Sequence, residues 1–545
     1  MASLPTPPLA PAARPRRWLA IAMAGAFTAT LLGGLIGAIW NARREGGWQA
    51  AHPMSQETGT ASGASSGDGW RGLATRTREA AATLDACTAE RSPLATTVRQ
   101  PLQAWLASWA RQGSAQVVVG RDRWLFFRPA VDHLVGPPFL APPFLAAREG
   151  GDRHRDPRPA ILDLAAYLKG RGIALVVVPV PVKAAIEPEH LSHGAADEVL
   201  PLANPSLAAL QHELEGAGVL VFDPSPILTG IKRRTGKPAY LAADTHWRPE
   251  AAAEVAQALA AFLRESVPMD VAPDPGYQVE EAEIAGTGDL VGMLGLGKED
   301  RAFPPEKVTI ERVLDSEDRL WRLDTSADVL VLGDSFANIY SLPAMGWGEA
   351  AGFIEHLSLA LARPADAILR NDSGAWATRA LLSRELAAGR DRLAGKRAVV
   401  WEFAARELSV GDWRPLPLAL GKAERRGFFV PARGTTVDVG GVITAMGVIP
   451  QPRSAPYADY IVALRLSDLQ AAIPEVAGRE AVVFAIAMRD YALTPPAAWR
   501  VGQRVSVRLR PWAEVADEYG SFTRGELADD SLMLVEPCFA EEVGR

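Results

Sequence analysis

"VLVLGDSFANIYS", residues 329–341, runs from an apolar strand into Gly333, Asp334 and Ser335 and on into residues that can start a helix. A serine at such a strand-to-helix corner is lifted off the end of a sheet, where backbone N–H groups can face a developing oxyanion. The carboxyl ends of parallel strands are also where ligands of open α/β sheets sit. Asp334 and Ser335 are equally good N-cap residues, so capping alone also accounts for the motif. The surrounding pattern decides the fold. From Ala160 onward helices alternate with short apolar runs: "AILDLAAYLKGRG" reads as a helix ended by glycine, and "IALVVVPV" as a strand buried on both faces. Further strands are predicted at 219–224, 327–334 and 397–403, with helical runs at 205–217, 249–265 and 374–394. Strands spaced by helices imply right-handed crossovers and a parallel, three-layer α/β/α sheet.

A second stretch, "DTHWRPEAAAEV" (244–255), places Asp244 and His246 two residues apart just before a helix opened by Pro249. A serine hydroxyl is a poor nucleophile until an imidazole takes its proton, and the imidazole needs a carboxylate to set its tautomer and stabilise its charged form. Two residues apart in an extended or turning segment, Asp244 and His246 point to the same side, so the acid can hold one ring nitrogen and leave the other for Ser335. An Asx-turn at Asp244 with a loop histidine beside it is the structural alternative.

The flanks have a different texture. Trp18 to Trp40 is a charge-free stretch long enough for one membrane-spanning helix, preceded by Arg14, Arg16 and Arg17. We read it as a retained inner-membrane anchor rather than a cleaved signal peptide. Residues 1–17 are then cytoplasmic, although Arg43 and Arg44 on the far side oppose that orientation. A Gly/Ser-rich tether and a helical segment occupy 41–111, and "QVVVGRDRWLFF" reads as two short strands around a turn at 120–123. The α/β unit is assigned 112–413 with a Pro-rich loop at 136–159, and 414–545 alternates in strand-length pieces, a small barrel or sandwich. A chain of 545 residues is expected to form two or three domains. The net charge of −7, without a long basic run, argues against nucleic acid as the main partner. Cys87 and Cys538 are the two cysteines. They can bridge in an oxidising compartment or stand as separate thiols, and no Cys/His cluster points to zinc.

Together, "GDSF" (333–336) and "DTHW" (244–247) resemble the SGNH-hydrolase-like alginate O-acetyltransferases of the AlgJ/AlgX type, over about residues 115–410. "VVVGRDRWLFF", "VVVPVPVKAAIEPEHL", "GTGDLVGML" and "RAVVWEFAARELS" are similar to further segments of that family in the same order. The resemblance implies Ser335 as nucleophile, His246 as general base and Asp244 as its orienting acid, with no metal or cofactor. It implies acetyl transfer to hydroxyls of an exported polysaccharide in the periplasm. It also implies a multi-spanning membrane partner that supplies the acetyl group. Arg248 stands where the family often has Ser or Thr; it can hold an anionic sugar or lie solvated. Gly333 and Asn371 are candidates for the oxyanion side, Asn371 competing with a turn or cap role. Tyr340 is a candidate for the acyl group or for the core, Lys183 for substrate or for solvent. Trp347 and Trp376 can stack on sugars or simply pack. Two rival functions use the same residues or surface: an acetylesterase with this triad, and a non-catalytic glycan-binding scaffold using the C-terminal β domain.

Overall fold

A computed structural model describes residues 103–107, 111–146, 154–192, 201–296, 300–371, 374–421, 427–452, 457–520, 522–527, 532 and 535–542. The stretch 18–40 and Cys87 lie outside these residues. Among the described residues no helix is long and apolar enough to cross a membrane.

The first strands among the described residues form an antiparallel hairpin, β1 (Val117–Val119) and β2 (Leu125–Phe127), with Val118 opposite Phe126. Then come β3 (Ala174–Val180), β4 (Leu220–Val221), β5 (Gln278–Gly286), β6 (Glu306–Leu314), β7 (Val329–Gly333), β8 (Asp366–Leu369) and β9 (Ala398–Ala404). Five of these form one parallel sheet in the order β4-β3-β9-β7-β8. Val329 and Val331 of β7 bury into one core with Val176, Val178 and Val400, while Leu330 and Leu332 bury into another with Leu175, Val399 and Trp401. The alternation along each strand therefore feeds two apolar layers, which is why these runs are apolar at every position.

The helix Pro249–Ser266 covers the first layer. Proline at its start suits a position with no intrahelical donor to lose, and Ala252, Val255, Ala256, Leu259 and Leu263 form a fully buried stripe at helical spacing. Each Val or Leu so buried contributes about 1.5–3 kcal/mol. On the other face lie Pro157–Lys169, Leu207–Gly216 and Gly374–Ala387, whose Leu164, Leu168, Leu210, Leu214, Leu382 and Leu386 fill the second layer.

The structure departs from the sequence reading in several places. The strand predicted at 219–224 pairs only over β4, and the helix predicted over 374–394 ends at Ala387. The stretch read as a Pro-rich loop contains the short helix Pro142–Ala146. Features not anticipated include the helices Ser225–Thr235 and Phe353–Leu361, the edge strand β8, only four residues long, and the antiparallel pair β5–β6, whose first strand is mostly exposed and acidic.

Beyond Trp413 the chain forms β10 (Val437–Met446), β11 (Tyr460–Gln470), β12 (Ala481–Arg489), β13 (Ala492–Leu493), β14 (Arg504–Pro511), β15 (Arg524–Gly525) and β16 (Cys538–Glu542). The ladder β12-β16-β14-β10-β11 closes back onto β12, so the module is a five-stranded barrel with β13 and β15 appended. Val439, Ile443, Leu464, Val483, Val507 and Leu509 fill its interior. Closure removes the exposed edges that an open sheet of this size would present. The outer face, with Phe484, Phe522 and Phe539, packs against Leu342 just beyond the Ser335 corner. At the junction Glu526 sits 3.2 Å from Arg370, 3.6 Å from Arg384 and 3.5 Å from Arg524. Cys538 is buried, its Sγ 3.4 Å from the Phe429 carbonyl.

Candidate active site

Ser335 begins the four-residue helix Ser335–Asn338 at the carboxyl end of β7. Asp334 caps that helix: its carboxylate accepts the Phe336 N–H at 2.8 Å and the Ala404 N–H at 2.7 Å, while its own N–H donates to Glu402 Oε2 at 3.0 Å. The capping role and the corner thus coexist, Asp334 taking the first and leaving Ser335 to face the sheet end. Gly333 is required by close approach, since a Cβ there would lie 2.7 Å from Ala337 Cβ and 2.9 Å from Leu369 Cδ2. Burial, and then the Asp334 charge, push the Glu402 carboxyl well above the usual carboxylate range.

Asp244, His246 and Ser335 come together in one buried row. The His246 Nε2 lies 2.7 Å from Ser335 Oγ, and its Nδ1 lies 2.6 Å from Asp244 Oδ1. All three residues are at most 3% exposed. The two-residue spacing works through a turn in which the His246 N–H also donates to Asp244 Oδ1, at 3.0 Å. Asp244 Oδ2 accepts the Asp289 N–H and the Trp347 indole N–H, each at 3.0 Å. Burial works against the Asp244 charge, but the neighbouring imidazole and the backbone N–H groups of Asp289 and His246 outweigh it and hold the carboxyl below its ordinary value. Burial likewise pulls the His246 imidazole down, yet the carboxylates of Asp244, Asp289 and Asp334 leave it above its ordinary 6.5. Asp289, which accepts the Thr245 N–H at 2.8 Å, is pushed up to about 6 by burial and by the Asp244 charge.

Several residues singled out from the sequence lie elsewhere. Lys183 faces neither substrate nor solvent: it is buried and donates to the carbonyls of Leu125, Ala242 and Asp244 at 2.7, 2.8 and 2.9 Å, clamping the loop that carries the acid. Burial pulls its ammonium down to about 7 against the pull of the nearby carboxylates. Arg248, its side chain 18% exposed, pairs with Glu250 at 2.8 Å and Glu306 at 2.6 Å, which occupies the guanidinium otherwise open to a sugar. Tyr340 is fully buried, its hydroxyl donating to the Trp247 carbonyl at 2.7 Å. Trp347 is buried against Asp244 rather than presented as a stacking face. Asn371 lines the site, its Oδ1 accepting from Asn338 Nδ2 at 2.7 Å, which turns its amide nitrogen away from Asn338. Trp376 is half-buried at the same site, with the Arg414 guanidinium 5.3 Å over its ring.

Ser335 and His246 open into a cleft of about 1060 Å³ whose walls come from both the α/β unit and the barrel. Thr287, Asp289 and Met293 of the α/β unit and Tyr457, Asp459 and Tyr491 of the barrel line it. Asp289 and the barrel residues were missed as site residues, and Trp347 was singled out for sugar stacking rather than for its bond to Asp244. Only Asp289 carried a signal, as part of the "GTGDLVGML" segment.

Residues 117–405, more than half of the chain, match the family model described as SGNH hydrolase-like domain, acetyltransferase AlgX. A probable alginate O-acetylase AlgJ of Pseudomonas fluorescens is 27% identical over 241 residues, covering 42% of this chain and 54% of that protein. The protein of the same description from Pseudomonas aeruginosa is 28% identical over 191 residues, covering 34% and 42%. The O-acetyltransferase domain of Pseudomonas putida AlgJ superposes with a TM-score of 0.39 at 21% identity, over 54% of this chain and 93% of that one. The chain spans about half the length of the AlgJ relatives it matches. On the family match, the chain belongs to the SGNH hydrolase-like family typified by the acetyltransferase AlgX.

Proposed function

We propose that the protein is an O-acetyltransferase that moves acetyl groups onto hydroxyls of an exported polysaccharide through an acetyl-Ser335 intermediate. The observation that carries this is the continuous row from Asp244 Oδ1 through both ring nitrogens of His246 to Ser335 Oγ. With the Nδ1 proton donated to Asp244, Nε2 is the free base. It takes the Ser335 hydroxyl proton as Oγ attacks the acetyl carbonyl, then returns that proton to the departing donor oxygen. In the second half an acceptor hydroxyl gives its proton to Nε2 and attacks the ester carbon, and Ser335 Oγ leaves and is reprotonated. In this reading the Ser335 backbone N–H, at the first position of its helix and without an intrahelical acceptor, stabilises the oxyanion, with the Asn371 amide as a second donor. Residues 18–40 serve as an inner-membrane anchor holding the enzyme in the periplasm, beside a multi-spanning partner that passes acetyl groups outward.

The test is intact-mass and peptide mass spectrometry of the protein after exposure to 4-nitrophenyl acetate, followed by addition of an oligosaccharide. One acetyl on the Ser335 peptide, lost on adding sugar with acetylated sugar appearing, is expected; Ser335→Ala carries no label. Label retained in Ser335→Ala overturns the assignment of the nucleophile. Free acetate as the sole product makes the enzyme an esterase.

A further inference from the structure

Asn371 is held from two sides. Gly333 of β7 pairs with Leu369 of β8, and two residues beyond that pair Ser335 and Asn371 follow on neighbouring strands. Adjacent strands lie about 4.8 Å apart, which brings Asn371 beside the nucleophile corner. Its side chain is buried and lines the same cleft as Ser335. A carboxamide has an acceptor end and a donor end, and only the donor end can serve an oxyanion. Asn338 Nδ2, on the short helix that Ser335 opens, donates to Asn371 Oδ1 at 2.7 Å and so occupies the acceptor end. The backbone that carries this side chain is held by the barrel: the Tyr457 hydroxyl, just ahead of β11, donates to the Asn371 carbonyl at 2.5 Å. Next to it the buried Arg370 side chain pairs with Glu526 of the barrel at 3.2 Å, and the Arg370 N–H donates to the Gly333 carbonyl at 3.0 Å. Two consecutive residues at the end of β8 are therefore gripped by the barrel, and the first is also tied to the strand that carries Ser335. All of these contacts are between protein groups and need no polysaccharide.

From this geometry we infer that Tyr457 and Asn338 are positioning residues for acetyl transfer, which aim the Asn371 amide at the oxyanion, so that the barrel completes the reactive centre. The inference rests on the acetyl-Ser335 reading above, with Asn371 as the second donor. As Ser335 Oγ bonds to the acetyl carbon, the Ser335 proton passes to His246 Nε2 and the carbonyl oxygen takes up the negative charge. The charge returns to the carbonyl as the bond to the donor oxygen breaks and that oxygen takes the proton from Nε2. A donor already fixed in direction stabilises the charged stage without reorganising at the moment of reaction, and a fixed direction is what the two holds on Asn371 supply. A tyrosine lining a cleft otherwise reads as a sugar contact. The two roles separate cleanly, because only positioning acts when no sugar is present.

The experiment follows acetylation of the full chain by 4-nitrophenyl acetate without sugar, reading the rate constant at saturating ester, the half-saturating ester concentration and the label on the Ser335 peptide. No label on Ser335 in the unaltered protein removes the acetyl-serine reading and this inference with it. With the label present, Asn371→Ala should slow acylation by about a hundredfold, the usual effect of losing one oxyanion donor. Tyr457→Phe, which deletes a single hydroxyl, and Asn338→Ala should each slow it by about tenfold with the half-saturating concentration unchanged. In an Asn371→Ala background each should cost less than about twofold, since no amide is left to aim. A general loosening of the fold does not produce that non-additivity. Equal losses in both backgrounds overturn the inference, as does an Asn371→Ala or Tyr457→Phe protein that acylates at the unaltered rate; the acetyl-serine chemistry then stands without it. A Tyr457→Phe protein slowed only in the later transfer to an oligosaccharide also overturns it and makes the hydroxyl a sugar contact.

Discussion

Replacing Trp347 by Phe tests whether the carboxylate of Asp244 works as a held anion. The substitution keeps an aromatic ring in a fully buried site and deletes one N–H, the donor 3.0 Å from Asp244 Oδ2. That oxygen retains the Asp289 N–H, and Oδ1 retains both contacts with His246. A hydrogen bond to a charged acceptor is worth about 1.5–3 kcal/mol. At about 1.4 kcal/mol per pH unit, its loss raises the proton affinity of the Asp244–His246 pair by about one to two units. Removing a donor from the anion favours the protonated pair, so the acid limb of the acylation rate moves up in pH. Below that limb the rate should fall by about tenfold to about a hundredfold, and the deficit should shrink on the alkaline plateau. Gly286→Ala should reproduce the shift, because its Cβ would lie 2.7 Å from the indole and must push Trp347 aside. The assay is stopped-flow release of 4-nitrophenol across pH, with thermal melting alongside. A Trp347→Phe enzyme that melts normally and keeps the wild-type acid limb refutes the reasoning; a loss equal at every pH means a packing effect instead.

In the unaltered enzyme, acylation should rise with pH through a midpoint above 6.5. The base must be neutral, and the carboxylates around His246 outweigh the downward pull of burial; a pH–rate profile with its midpoint below 6.5 contradicts this. Lys183→Met leaves three carbonyls without their donor and should lower stability by about 3–5 kcal/mol, read from the urea midpoint. Burial opposes the Glu526 charge, but Arg384, Arg524 and Arg370 hold its carboxyl down at about 2, against an ordinary 4.5. A depressed carboxyl stabilises the fold above its unfolded value, and that contribution is lost as pH falls from about 4.5 towards about 2. Glu526→Gln should therefore cost about 3 kcal/mol at pH 7 and less at pH 3, measured by denaturant unfolding at both.

The legible parts of this protein were those whose cause is local. An apolar run buried on two faces announces itself at every position, as in β3, β7 and β9, and a strand meeting Gly-Asp-Ser marks its own corner. Asp244 and His246 were legible because two residues in a turn must share a side. Strand β8 was not, because four residues carry too little pattern, and β5 was not, because its side chains are exposed and acidic. Trp347 and Asp289 reach Asp244 from 103 and 45 residues away, a contact that no local periodicity encodes. Lys183 and Arg248 were misread for the opposite reason: charge suggests solvent, whereas here one side chain spends its protons on three carbonyls and the other sits between two glutamates. The barrel strands were visible from their alternation, which left barrel and sandwich both open, but not their position beside the nucleophile.

That ring is fastened to the α/β unit by Glu526 among Arg370, Arg384 and Arg524, and Arg370 also donates its backbone N–H to the Gly333 carbonyl at 3.0 Å, two residues before Ser335. The catalytic row and the barrel residues that line the cleft therefore come from different stretches of one polypeptide. Changes to the loops carrying Asp459 and Asp490 alter part of the cleft lining without touching Asp244, His246 or Ser335. Such an arrangement lets one module drift while the reactive row stays fixed.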